Sequence, residues 1–160
     1  LPIAPLLATG DMNNDGGGEF AYVTGSCGAS TCFATVHIFK GTAAGYVTLT
    51  PADGITMPYA DAKFEDTDSD GTKELLLTGG AQGSVGAGPQ RTRTETWAWN
   101  GAAYALRTTR LDKATFVYHA VKDADTLFAA ANYAEAEAAY VAVVGDRSLK
   151  VWSEEKQERN

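Results

Sequence analysis

Two short stretches of the sequence place oxygen-bearing side chains at alternate positions and then turn at a glycine. They read DMNNDGGGEF (11–20) and DTDSDGTKEL (66–75), with acid or amide side chains at the first, third, fifth and ninth positions. The glycine after the fifth position allows the sharp turn that brings alternate side chains inward. Ligand sets made only of oxygen are typical of Ca²⁺, whereas Mg²⁺ demands a stricter octahedron and keeps more water. Both stretches are therefore predicted to be calcium-binding loops.

A backbone carbonyl at the seventh position would complete the oxygen cage of each loop. The first loop supplies three carboxylates and the second supplies four. We therefore expect two calcium ions, with the 66–74 loop binding its ion more tightly. The predicted ligands are Asp11, Asn13, Asp15, Gly17 and Glu19 in the first loop, and Asp66, Asp68, Asp70, Thr72 and Glu74 in the second.

The EF-hand is the obvious competing interpretation of these loops. An EF-hand loop has twelve positions, ends in a bidentate glutamate and is followed by a helix. Here the twelfth position is Tyr22 or Leu77, and the segments that follow have the composition of strands. A solvated turn is the other alternative for a single loop. Two copies in register, each acidic at the ninth position and each leading into a strand, favour metal binding.

The elements that must hold these loops form an internal repeat. Each loop leads into a strand-like segment, a variable loop, a second strand, a short turn and a third strand. Asn100-Gly101, in the second of these turns, is a strong hairpin signal. Each copy, about 7–52 and 62–108, is predicted to be an antiparallel meander of about three strands. The strand-like segments are 19–25, 33–39 and 46–50 in the first copy, and 74–80, 91–99 and 103–108 in the second.

The loop pattern, the apolar strand that follows it and the later strand ending in WAWNG (97–101) resemble the FG-GAP/VCBS repeats of integrin-α-like β-propellers. The resemblance covers about residues 7–107 and implies that the loops join neighbouring strands and that their calcium is structural. Two blades cannot close a ring, which takes about four to eight. We therefore expect further blades outside this chain, packing of the two sheets on each other or on the C-terminal part, or assembly of several chains into a homo-oligomer.

The last fifty residues are rich in alanine, contain one glycine and lack proline. Apolar residues recur at a spacing of three to four from Phe116 to Phe128 and from Tyr133 to Val144, which predicts two helices. We expect the break near Ala131, the end of the second helix at Gly145 and a frayed charged end. The fold class is therefore mostly β with a helical C-terminus (α+β): β repeats in 1–110 and a helical hairpin in 111–160. The segment 132–144 also resembles the second half of a tetratricopeptide repeat.

Cys27 and Cys32 flank a four-residue tip, for which we favour a disulfide over two free thiols. A zinc site would need two more ligands, and the chain has only two histidines. A disulfide implies an oxidising compartment, so we expect a secreted or bacterial cell-envelope protein. The glycine-rich 79–88 stretch lacks the Gly-Lys-Ser/Thr ending of a phosphate loop and is expected to be a flexible hairpin loop. Together with the cystine loop it could form a rim that binds a protein or a glycan.

Composition narrows the functions further. A net charge of −7 without a basic stripe disfavours nucleic-acid binding, and no apolar run is long enough to span a membrane. The chain starts at Leu1 without a basic leader segment, which fits a removed leader or a piece of a longer protein. No catalytic motif is present, so we do not expect an enzyme. The leading hypothesis is a binding or scaffolding module outside the cytoplasm. The alternatives are an accessory domain of a larger secreted or envelope enzyme and an adaptor that binds proteins through its helical part.

Overall fold

The computed structural model describes residues 5–152, so the charged end that was expected to fray lies outside the described residues. The described chain forms two compact units. The first, called the sheet unit here, comprises 5–83 and Thr92–Leu111. The second, called the helical unit, comprises Ser84–Arg91 and 112–152. The glycine-rich stretch is therefore divided between the two units.

The first sheet contains five antiparallel strands and holds the first acidic loop between its first two strands. β1 to β4 pair in chain order. β5 pairs with the first half of β3, on the edge whose second half pairs with β4. The strands are β1 (Leu6–Gly10), β2 (Glu19–Cys27), β3 (Cys32–Thr42), β4 (Gly45–Thr48) and β5 (Ile55–Pro58).

The second sheet is a four-stranded antiparallel meander with the second acidic loop between its first two strands. The predicted class, antiparallel β followed by helices, is confirmed. Each repeat has one strand before its acidic loop that the sequence pattern did not predict. The strands of this sheet are β6 (Asp61–Glu65), β7 (Glu74–Gly80), β8 (Thr92–Trp99) and β9 (Tyr104–Leu111).

The two sheets share one hydrophobic core within the sheet unit. Alternation along the strands directs Ala21, Val36 and Ile38 of the first sheet and Leu75 and Leu77 of the second into this core, and all five are fully buried. Full burial of a leucine or isoleucine side chain is worth about 1.5–3 kcal/mol. Of the arrangements left open by the sequence, the two sheets therefore pack on each other.

Tyr104 is a direct link between the two repeats. Its ring is buried against Phe64 and Trp99. Its backbone N–H donates to the Leu49 carbonyl at 2.8 Å, and its hydroxyl donates to the Lys73 carbonyl at 3.1 Å. The last strand of the second repeat is thus bonded both to the end of the first repeat and to the second acidic loop.

The helical unit contains the predicted hairpin, α1 (Val117–Ala129) and α2 (Tyr133–Gly145). The break falls at the predicted place, where Ala131 has a φ of 61°. α1 buries His119 and Ala124, whereas α2 buries Ala136 and leaves much of its apolar surface exposed. No helix within residues 5–152 is long and apolar enough to cross a membrane.

The stretch 84–91 is the larger part of the connection between β7 and β8 and packs in the helical unit. It contains a 3₁₀ turn (Val85–Ala87). The hydroxyl of Tyr118 donates to the Ala87 carbonyl at 3.0 Å, and a ring nitrogen of His119 lies 2.8 Å from the Pro89 carbonyl. The guanidinium of Arg91 bonds Asp123 at 2.6 Å. Side chains of α1 therefore hold a stretch that was expected to be a flexible hairpin loop.

Candidate metal centre

The first acidic loop folds around the carboxylate of Asp11. This carboxylate accepts the backbone N–H groups of Asp15 at 3.1 Å and Gly16 at 3.0 Å. Asp15 in turn accepts the N–H of Gly17 at 2.9 Å. Asn14 and Gly16 have φ angles of 57° and 81°, in the left-handed region that glycine and asparagine tolerate best. The glycine after the fifth position is therefore required by the turn.

The second loop repeats this backbone geometry. Asp66 accepts the N–H groups of Asp70 at 3.2 Å and Gly71 at 3.1 Å, and Asp70 accepts the N–H of Thr72 at 2.7 Å. Ser69 and Gly71 have φ angles of 64° and 89°. The two loops are thus repeated in backbone geometry as well as in sequence.

The ninth position of each loop is a buried glutamate that begins a strand, Glu19 on β2 and Glu74 on β7. Each folds back on its own loop, because its Oε2 accepts the N–H of the second loop residue, Met12 or Thr67, at 2.9 Å. The hydroxyl of Thr67 also donates to Glu74, at 2.6 Å. Each glutamate therefore ties the beginning of its loop to the strand that follows.

The second loop brings three of its five predicted ligands together. Single carboxylate oxygens of Asp66, Asp68 and Glu74 all lie within 4.8 Å of one another, close enough to hold one metal ion. Asp70 is not one of this group, and its carboxylate contacts the backbone of Thr72 instead. Three anionic oxygens at this spacing repel one another unless a cation lies between them.

The first loop is arranged differently at its fifth position. Its acids form no comparable group of three among the described residues. Asp15 bonds instead to the ammonium of Lys40 on β3, which holds the pKa of that carboxyl below its usual range, with help from the Gly17 N–H. Asn13 is buried beside Asp15, with its side-chain amide nitrogen 3.1 Å from the Asp15 carboxylate.

Arg107 on β9 lies at the second loop, and sequence reasoning did not identify it. Its guanidinium NH1 donates to Asp68 at 3.0 Å and lies 3.4 Å from Glu74. The bond to Asp68 is the main reason that the pKa of Arg107 is raised. Neither Arg107 nor Lys40 lies near its acidic partner in the sequence, so no local pattern could have identified them.

The two loops also touch each other. The Lys73 N–H donates to the Met12 carbonyl at 2.7 Å. A Cβ on Gly71 would lie only 3.0 Å from the side-chain nitrogen of Asn14, so glycine is favoured there by space as well as by its φ. Burial, followed by the charges of Glu19, Glu74 and Asp11, raises the pKa of Tyr104. Acids of both loops therefore lie near this one tyrosine.

The predicted disulfide between Cys27 and Cys32 is confirmed. It joins the end of β2 to the start of β3, where the Gly28 N–H also donates to the Thr31 carbonyl at 2.8 Å.

No family model, curated protein or solved structure matches this chain. The geometry and chemistry of the two loops are therefore the basis on which a function can be proposed.

Proposed function

We propose that this chain is a non-catalytic, calcium-stabilised β-repeat module of the FG-GAP/VCBS kind that acts in binding or scaffolding outside the cytoplasm. One observation carries the proposal. Two acidic loops have the same backbone geometry, and the ninth residue of each is a buried glutamate that begins the next strand. In one of the loops, three carboxylates lie close enough to share an ion.

Calcium would act on folding in this module. The loops connect β1 to β2 and β6 to β7, so an ion held in a loop fixes the connection between two paired strands. A cation that binds only the folded loop adds its binding free energy to the stability of the fold. Because the candidate ligands are all oxygen atoms, Ca²⁺ suits them better than a transition metal.

The proposal also covers the location of the protein and its partner. The disulfide supports an oxidising compartment, and therefore a secreted or cell-envelope location. The partner that we propose is a protein or a glycan.

Two calcium ions are proposed, one in each loop. The count of carboxylates favours tighter binding by the 66–74 loop, but the contacts of Arg107 give a physical reason for the opposite order.

The test is the thermal unfolding of the full chain with Ca²⁺ and with a chelator. A ligand at about one hundred times its dissociation constant stabilises a protein by about 2.7 kcal/mol, which for this size shifts the midpoint by roughly 5–10 °C. We expect EDTA to lower the melting temperature by this order and added Ca²⁺ to restore it.

A variant with Asp11→Asn and Asp66→Asn is the matched control, because it removes one carboxylate from the same position of each loop. Its melting temperature is expected to respond much less to Ca²⁺. A wild-type melting temperature that is the same in EDTA and in Ca²⁺ would remove the structural-calcium proposal.

A protein-binding adaptor is a second candidate function, favoured by the surface of α2. Val141 is 67% exposed and Val144 is 91% exposed, an unusual position for two valines on one helix. Tyr133 at the start of the helix is exposed as well. In this function the helical unit would bind the partner, in line with the resemblance of 132–144 to a tetratricopeptide helix.

A further inference from the structure

We infer that the 11–19 loop holds the tighter of the two divalent cations, because Arg107 competes with the cation for the carboxylates of the 66–74 loop. The inference rests on the proposed calcium-binding function and specifies which of the two loops binds its ion more tightly. It reverses the order of affinity that the count of carboxylates predicts.

The two loops form a matched internal comparison. In both, the first acid accepts the N–H groups of the fifth and sixth residues. In both, one oxygen of the final glutamate accepts the N–H of the second residue at 2.9 Å. The other oxygen of that glutamate, Oε1, has a hydrogen-bond partner in the second loop and none among the described residues in the first.

In the first loop, Oε1 of Glu19 lacks a hydrogen-bond partner among the described residues. The side chain is nearly inaccessible, since the residue is only 3% exposed. Its other oxygen is bonded to the Met12 N–H, so the carboxylate lies against the loop. An unpaired carboxylate oxygen in a buried position is strongly unfavourable and is stabilised by a cation that it can ligate.

The ammonium of Lys40 does not meet this need. It bonds Asp15, and its charge acts on Glu19 and Asp11 through space without a hydrogen bond to either. A lysine bonded to one carboxylate leaves the glutamate oxygen open. A divalent cation held by oxygens of Glu19, Asp11 and the buried Asn13 side chain would supply the missing partner.

In the second loop, the equivalent oxygen is already occupied. NH1 of Arg107 lies 3.4 Å from Oε1 of Glu74 and 3.0 Å from Oδ2 of Asp68. These are two of the three carboxylates that could share an ion. The guanidinium cannot lose its charge in water, so at any ordinary pH it offsets one of the four negative charges of this loop, at the two carboxylates that it contacts. A divalent cation would have to displace it.

An irregularity in the pairing of β8 with β9 sets the position of Arg107. Leu106 pairs with Trp97 and Thr108 pairs with Thr96, so Arg107 is the extra residue of a β-bulge. Bulges redirect a side chain that regular pairing would place elsewhere. Here the redirected side chain is the one that reaches the acidic loop.

Equilibrium dialysis of the full chain with Ca²⁺ tests the inference, with bound calcium counted per chain. We expect one tight ion in the wild type. Glu19→Gln should weaken it at least 100-fold, whereas Glu74→Gln should change it less than threefold. Because both glutamates are buried, the exposed pair Asp11→Asn and Asp66→Asn repeats the comparison, and only Asp11→Asn should weaken the tight ion.

Arg107→Gln provides the converse test. It should tighten the binding of a second ion at least tenfold, whereas Arg110→Gln, an exposed arginine on the same strand, should not. Loss of the tight ion in Asp66→Asn but not in Asp11→Asn would overturn the inference and leave the calcium function standing. So would an Arg107→Gln chain whose second ion binds as in the wild type. No bound calcium in any of these proteins would overturn the calcium function and the inference together.

Discussion

Gly79 lies on β7 where the end of β5 in the first repeat comes close to it. A Cβ at this position would come within 2.5 Å of the Pro58 carbonyl oxygen and 2.9 Å of the Met57 sulfur. Backbone oxygens cannot move aside as the end of a flexible side chain can. The absence of a side chain at residue 79 therefore allows β5 and β7 to approach each other in the shared core.

We expect Gly79→Ala to destabilise the sheet unit by about 1–3 kcal/mol, the usual cost of overpacking a tight site. The measurement is urea unfolding at a fixed calcium concentration. Gly25→Ala is the matched control on β2, because a Cβ there would meet its nearest atom at 3.9 Å, an ordinary contact. Equal effects of the two substitutions would contradict this account.

Single residues also show how far the sequence predicts the site. The alternate acids and the glycine after them predicted both loops, because a loop's turn depends on residues within the loop. Lys40 and Arg107 reach the loops from strands that lie 25 and 39 positions away from Asp15 and Asp68. Their approach depends on strand register and, for Arg107, on a bulge, neither of which has a local signal.

Among the elements, the hairpin of β2 and β3 is closed by the disulfide at its tip. Cys27 and Cys32 are the last pair of facing residues between β2 and β3. Tyr59 supports the same tip, since its hydroxyl donates to the Ser30 carbonyl at 2.5 Å and its N–H donates to the Cys32 carbonyl at 2.8 Å. The tip is therefore held by noncovalent bonds as well as by the disulfide.

Replacing both cysteines by serine is expected to cost about 2 kcal/mol, the chain-entropy value for so short a closed loop. Chemical unfolding of the oxidised wild type and of the Cys27→Ser, Cys32→Ser variant provides the measurement. Reduced wild type is the control and should match the variant. A reduced protein as stable as the oxidised one would contradict the prediction.

The elements were predicted unevenly, for physical reasons. The strands after each loop are apolar and were predicted, because burial gives them a clear pattern. The strands before the loops, β1 and β6, were missed, as was the short strand β5. Asp61–Glu65 contains two acids and a lysine, and its exposed edge position tolerates them. The helical hairpin was predicted because apolar residues recur at a spacing of three to four along both segments.

For the whole molecule, the question is what covers the apolar surface of α2 in the helical unit. If that surface binds proteins, the full chain should associate through it when concentrated. We expect Val141→Glu with Val144→Glu to lower the apparent mass towards the 16.9 kDa of one chain in light scattering. Val151→Glu is the control, because Val151 is also exposed but lies outside α2. An equal mass for both variants would count against the adaptor function.

At this scale the sequence left the packing of the repeats open. Core-facing residues were recognisable in each repeat, but two sheets with apolar faces can pack on each other, on helices or on another chain. The packing depends on how surfaces from distant parts of the chain fit together, as they do at the close approach of Gly79 to β5. Composition and periodicity do not encode this fit.

The links between Met12 and Lys73 and between Leu49 and Tyr104 also bear on how quickly the chain can fold. They join residues 61 (73 − 12) and 55 (104 − 49) positions apart, so much of the chain must be brought together before either bond forms. Contacts of such long range slow folding, because the entropy of closing the chain is lost before the contact stabilises it. Until the second repeat arrives, the core face of the first sheet stays exposed to water. A state in which the first sheet has formed alone would therefore expose an apolar face and be prone to aggregation.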